Sequence, residues 1–108
     1  MNKQLTLGSV QLELRFKMGI LKHMKDLAGM DPLIFITENS NDTFTFASVI
    51  INAGIRCMCD STGKDYPDRE MIDKTISAEM DIKDVAILTG YLNEFLNVGE
   101  QQSPAGSE

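Results

Sequence analysis

Hydrophobic residues occupy every second position at the start of the chain, over residues 4–16. Such alternation is typical of strands with one buried face. Gly8 and Ser9 stand where a two-residue turn would join two strands, and Gly8 supplies the positive φ of a type II′ turn. Leu7 then faces Val10, and this register gives a β-hairpin with one apolar face. The residues on that face are Leu5, Leu7, Val10, Leu12, Leu14 and Phe16.

The hydrophobic spacing changes after the hairpin to every third or fourth position, which predicts an amphipathic helix over residues 17–28. Its apolar stripe consists of Phe16, Ile20, Met24, Leu27 and Ala28. His23 is assigned to the exposed face together with its charged neighbours, so we expect no catalytic role for it. Gly29 follows as the predicted C-terminal cap.

The middle of the chain predicts a buried helix over residues 44–58. Its β-branched and aromatic residues would also suit a strand. However, its polar residues recur at spacings of three and four and form one narrow stripe on an apolar cylinder. They are Thr45, Ser48, Asn52 and Arg56. Asp42 or Thr43 is the expected cap, and a short helical turn through Phe35, capped by Asp31, is expected before this helix.

Two further helices are predicted over residues 67–79 and 82–98. Pro67 suits the opening of the first, and Asp81 can cap the second. The last helix carries a hydrophobic stripe of Val85, Leu88, Leu92 and Phe95. Gly99 is expected to end it.

These elements predict a mostly α fold with a small N-terminal β-hairpin, in the α+β class. We expect a single globular domain over residues 1–98 with four or so helices, and a disordered tail over residues 99–108. A chain of 108 residues and 12.0 kDa fits one domain with one modest core.

The charge of the chain narrows the classes of partner. Ten basic and sixteen acidic residues give a net charge of -6, which disfavours binding to nucleic acid. No apolar run is long enough to span a membrane, and the polar start lacks the apolar block of a secretory signal. A cytoplasmic protein is therefore expected.

The side chains that could carry chemistry do not form a recognisable constellation. Cys57 and Cys59 lie two positions apart in an apolar segment, and no second cluster completes a zinc site, so we expect core packing and no metal. The carboxylates are spread along surface positions as caps and solvating charges. We therefore expect a non-enzymatic protein without a cofactor.

The order of elements resembles the tail assembly chaperones of long-tailed phages and prophages. The matching segments are "LRFKMGILKHMKDLAGMDPL" and "FASVIINAGIRC", and the resemblance covers roughly Leu5 to Phe95. It implies a small helical protein that self-associates, binds the tape measure protein and keeps it soluble until tail tube subunits replace it. The resemblance also implies action in the host cytoplasm and absence from the mature virion.

Two parts of the chain are candidates for partner binding. The hairpin could join subunits through its edge or merely cover the core, which leaves Leu5 and Leu7 as candidate contacts. Ile87 and Tyr91 broaden the stripe of the last helix and could receive a second helix, although the whole stripe could also be core.

Two rival functions stay open from the sequence. One is a structural virion component such as a tail tube or connector subunit, and the other is a small non-enzymatic adaptor. A tube subunit normally needs a larger sheet than one short hairpin.

The cysteine pattern yields the first testable prediction. Purified protein is expected to contain Cys57 and Cys59 as reduced thiols without metal, because two ligands at this spacing cannot complete a tetrahedral site. Elemental analysis together with thiol titration measures both properties. Stoichiometric zinc would contradict the prediction.

Overall fold

The computed structural model describes residues 2–38 and 42–101, with side chains to residue 97. In chain order its elements are β1 (Asn2–Leu7), β2 (Val10–Arg15), α1 (Met18–Ala28), α2 (Pro32–Glu38), α3 (Thr43–Thr62), α4 (Arg69–Glu79) and α5 (Ile82–Gln101). The predicted fold class is confirmed: the described chain is mostly helical and begins with a two-stranded antiparallel hairpin.

The hairpin has the predicted register, with Leu7 opposite Val10 and Leu5 opposite Leu12. Gly8 adopts a positive φ of 61°, and a Cβ there would collide with the carboxylate of Glu79. Of the predicted apolar face, only Val10 at the tip is exposed. The remaining side chains of that face belong to the core, so the hairpin lies on the helices.

Helix α3 forms the centre of the core, and its residues from 46 to 55 are all buried. The side chain of Asp42 caps it by accepting a hydrogen bond from the Thr45 N–H at 3.1 Å. The helix continues four residues beyond the predicted end at Met58. Its polar last turn closes because the Thr62 hydroxyl donates to the Met58 carbonyl, and Gly63 then ends the helix at a positive φ.

The polar stripe of α3 has partners on α4. The Ser48 hydroxyl donates to Asp73 Oδ1 at 2.6 Å, and the Asn52 amide donates to the same oxygen at 3.2 Å. Arg69 lies beside Asp73, with Nε 3.7 Å from Oδ2, and also donates to the Leu27 carbonyl at the end of α1. This network satisfies the buried polar groups of α3 and fixes α4 against it.

The start of α4 differs from the sequence-based expectation. Helix α4 begins at Arg69, two residues after Pro67, because the Asp68 side chain caps it by accepting from the Glu70 N–H at 3.1 Å. Helix α5 begins at Ile82, directly after Asp81. The Asp84 carboxylate accepts from the Asp81 N–H at 2.9 Å.

The end of α5 also differs, because the helix passes through Gly99 and reaches Gln101. The rest of the predicted tail, residues 102–108, lies outside the described residues. None of the described helices combines the length and apolar character required to cross a membrane.

The second prediction concerns the closest approach of α3 to the hairpin. A Cβ on Gly54 would lie 2.9 Å from Leu14 Cβ, whereas one on Gly90 in α5 would meet nothing within 4 Å. Gly54→Ala should therefore lower the free energy of unfolding by roughly 1–2 kcal/mol, since overpacking exceeds the gain in helix propensity. The matched change Gly90→Ala should raise it by up to about 1 kcal/mol.

Denaturant unfolding of the two variants measures both effects. A Gly54→Ala protein as stable as Gly90→Ala would show that the hairpin is not pressed against α3 as described.

Candidate partner-binding site

The two hairpin residues proposed as partner contacts do not reach the surface. Leu5 is 1% exposed and Leu7 is fully buried, because their face of the hairpin forms part of the core. In this conformation Leu7 has no exposed side-chain surface for another protein, and Leu5 has almost none. Any contribution of the hairpin to assembly therefore comes from its backbone edge or its outer face.

Tyr91 is engaged within the chain. Its hydroxyl donates to the Gln4 carbonyl of β1 at 2.8 Å, and its ring lies edge-on to Phe16 at 6.3 Å between centroids. The ammonium of Lys3 lies 5.4 Å from the centre of the Tyr91 ring and 3.2 Å from a carboxylate oxygen of Glu94. Tyr91 thus fastens α5 to β1.

Ile87 is 44% exposed, and it lines a surface depression of about 680 Å³ together with Tyr91 and Leu5. The structure thus brings together three of the four predicted contacts. The rest of the lining is mostly polar or charged and includes Gln4, Thr6, Glu79, Asp81, Lys83 and Asp84. Such a lining is a poor match for the apolar face of a helix.

A more apolar depression lies between the N-terminal halves of α3 and α5. It consists of two adjoining parts of about 250 and 430 Å³ that share Thr43 and Val85. Its hydrophobic lining is Ile36, Phe44, Phe46, Ala47, Ile76, Met80, Ile82, Val85 and Leu92. We call this surface the apolar groove.

Two large side chains at the apolar groove are open to solvent. Ile82 is 80% exposed and Phe44 is 46% exposed. Carboxylates adjoin them: Asp81 is part of the lining, and Asp42 precedes α3. Hydrogen bonds from Thr45 hold the pKa of the Asp42 carboxyl below its usual value, so Asp42 stays negative. The groove therefore combines exposed apolar surface with negative charge, which suits a basic amphipathic helix.

Periodicity could not reveal the apolar groove, because four helices contribute to it. Ile82 begins α5 and Phe44 begins α3, and each falls where a helical stripe has only one turn to define its direction. Phe44 and Ile82 can be recognised as parts of one surface only in the folded structure, which brings the two helix starts together.

The prediction that His23 is exposed is wrong. His23 is 5% exposed, and its Nε2 lies 2.6 Å from Asp60 Oδ2 at the end of α3. Asp60 also accepts a hydrogen bond of 2.5 Å from the Tyr66 hydroxyl, and the rings of His23 and Tyr66 meet edge-to-face at 5.4 Å. The guanidinium of Arg56 lies over the Tyr66 ring, with its Cζ 5.2 Å from the ring centre.

The spacing did contain a signal for the burial of His23. It follows Ile20 by three positions and precedes Leu27 by four, so it lies beside the apolar stripe of α1. The cluster with Asp60 and Tyr66 joins α1 to the end of α3 and to the loop after it. Its hydrogen bonds hold the pKa of Asp60 below the usual value and that of Tyr66 above it.

The two cysteines are buried free thiols in the core. Burial is the main reason why the pKa of each thiol is raised, so both favour the protonated form. Within the described part of the chain, no group of three or more His, Cys, Asp or Glu side chains could hold a metal ion.

Comparisons with protein-family models, curated proteins and solved structures give no match to this chain. A functional assignment therefore depends on the residues and surfaces of the chain itself.

The third prediction tests the Asp60 cluster. The hydrogen bond to Asp60 stabilises the neutral phenol of Tyr66 and raises its pKa above the ordinary 10.0. This hydrogen bond therefore stabilises the folded protein below pH 10, and its contribution is lost as the pH rises through the pKa of Tyr66 in the folded state. Asp60→Asn should return one of the two tyrosine ionisations towards its ordinary pKa. Phenolate absorbance measures it, and the chain has no tryptophan to interfere.

Asp26→Asn is the matched control, because Asp26 is an exposed acid of α1 outside the cluster. Identical titration curves for wild type and Asp60→Asn would contradict the described hydrogen bond.

Proposed function

We propose that this protein is a non-enzymatic tail assembly chaperone of the kind used by long-tailed phages. In this role it binds the tape measure protein and keeps it soluble while the tail tube forms. Tail tube subunits then replace it, so that it acts in the host cytoplasm and is absent from the mature virion. The observation that carries the proposal is the apolar groove, with Phe44 and Ile82 exposed on it.

The apolar groove supports the proposal because it offers what a helical client needs. An amphipathic helix in water exposes one apolar stripe, and burying that stripe removes the surface through which such helices aggregate. The exposed side chains come from the starts of two helices that are anchored in the core, so the groove is already formed before a client arrives. The net charge of -6 also favours a client with basic helical segments.

The rival role of tail tube subunit receives less support. The described part of the chain contains one two-stranded sheet, whereas a tube built from rings normally requires a larger sheet in each subunit. A small adaptor with another client is consistent with the same groove. It differs from the proposed role in the identity of the partner.

The fourth prediction is the solubility of the tape measure protein when it is coexpressed with this chain. Wild type should move most of the tape measure protein into the soluble fraction. Ile82→Asp should abolish most of that effect, because it places a charge in the apolar contact. Quantitative electrophoresis of the soluble and insoluble fractions measures the outcome.

The matched control is Met71→Asp, which also places an acid at an exposed hydrophobic residue, 66% exposed on α4, outside the groove lining. It should behave as wild type. Ile87→Asp tests the alternative surface beside Tyr91 and should also behave as wild type. A tape measure protein that is equally insoluble with and without this chain would overturn the proposed function.

A further inference from the structure

The two edges of the hairpin differ in how they are covered. On β1, the outward carbonyl of Gln4 accepts the hydrogen bond from Tyr91 of α5, and the Lys3–Glu94 ion pair lies beside it. On β2, no group of the described residues bonds to the backbone of Gln11 or Glu13, and the Arg15 side chain reaches only Asn2. The β1 edge is therefore covered by α5, whereas the β2 edge is open to pairing with another strand.

The register shows which backbone groups of β2 point outward. A two-residue turn makes Leu7 and Val10 a hydrogen-bonded pair, and pairs alternate along an antiparallel ladder. Gln4 and Glu13 therefore form a pair without mutual hydrogen bonds, which agrees with the Gln4 carbonyl reaching Tyr91. The outward amides of β2 accordingly belong to Gln11, Glu13 and Arg15.

We propose that β2 pairs antiparallel with β2 of a second copy of this chain, about a two-fold axis at Leu14. In this register Glu13 of each copy stands opposite Arg15 of the other. The pair of hairpins becomes one four-stranded sheet. The inference does not depend on the proposed function, since it follows from the open edge and its charges.

Charge complementarity selects this register. Glu13 and Arg15 are hydrogen-bonded partners across the two-fold axis, so their side chains lie on the same outer face and attract twice in each dimer. A shift by two residues in one direction would place Glu13 opposite itself. A shift in the other direction would place Arg15 opposite itself, and like charges at such positions repel.

The exposed hydrophobic residues near β2 agree with the same register. Val10, 37% exposed at the tip of the hairpin, comes level with Met18 of the second copy, which is 75% exposed at the start of α1. The dimer therefore brings together two apolar side chains that the single chain leaves in water. The backbone bonds stop near this point, because the Lys17 carbonyl is already used by the Ile20 N–H of α1.

The fifth prediction is tested on the purified full chain by sedimentation equilibrium. Wild type should form a dimer with twice the 12.0 kDa mass of the chain. Glu13→Arg and Arg15→Glu should each raise the dimer dissociation constant by at least roughly tenfold, because each replaces two attractive pairs by two repulsive ones. A mixture of the two variants should recover the dimer, and so should the double variant with both changes.

Two further variants separate this surface from general effects of charge and folding. Asp26→Arg reverses an exposed acid on α1 and should leave the dimer unchanged. Glu13→Pro removes the outward N–H without removing a hydrogen bond of the hairpin, so it should give a folded monomer by circular dichroism. A wild-type monomer at every concentration, a dimer insensitive to the single charge reversals, or a mixture that stays monomeric would each overturn the inference.

The readout also distinguishes this inference from the proposed function. If no dimer forms, the coexpression experiment can still show that the apolar groove keeps the tape measure protein soluble. A stable dimer that does not solubilise the tape measure protein would refute only the chaperone role.

Discussion

The contact between α3 and β2 at Gly54 is the constraint on which the rest of the fold depends. A two-stranded hairpin is marginally stable alone, so it needs an apolar surface to cover its inner face. The missing side chain at Gly54 lets the backbone of α3 approach Leu14 closely enough to supply that surface. Leu5 and Leu7 are then buried together with Ile50 and Ile51 in one core.

The polar stripe of α3 determines how the helix is rotated about its own axis, because its polar side chains must face hydrogen-bond partners. Ser48 and Asn52 are nearly fully buried, and a buried hydroxyl or amide without a partner would cost free energy. Asp73 supplies the acceptor for both, and Arg69 offsets its charge. The same contacts therefore orient the central helix and attach α4, whose end forms one wall of the apolar groove.

The sequence predicted the features that depend on local spacing. The register of the hairpin followed from Gly8 and the alternation around it, and the burial of α3 followed from its narrow polar stripe despite a run of β-branched residues. Helix ends were less predictable, because single hydrogen bonds decide them: Asp68 starts α4 after Pro67, and hydroxyl contacts extend α3 past Met58. Burial of His23 was missed although its spacing placed it beside the apolar stripe of α1, and its partner Asp60, 37 positions away, could not be identified from local spacing.

The candidate site was the part least accessible from the sequence. An apolar stripe that is broader than the core requires indicates a helix face that could bind a partner, and this reasoning selected Ile87 and Tyr91 as candidate contacts. Tyr91, however, is used internally to hold β1. That use closes the β1 edge and leaves β2 as the open strand, which is the strand of the proposed dimer. The apolar groove lies on the helices and the open edge on β2, so the proposed helical client and the proposed second copy of the chain need not compete for the same residues.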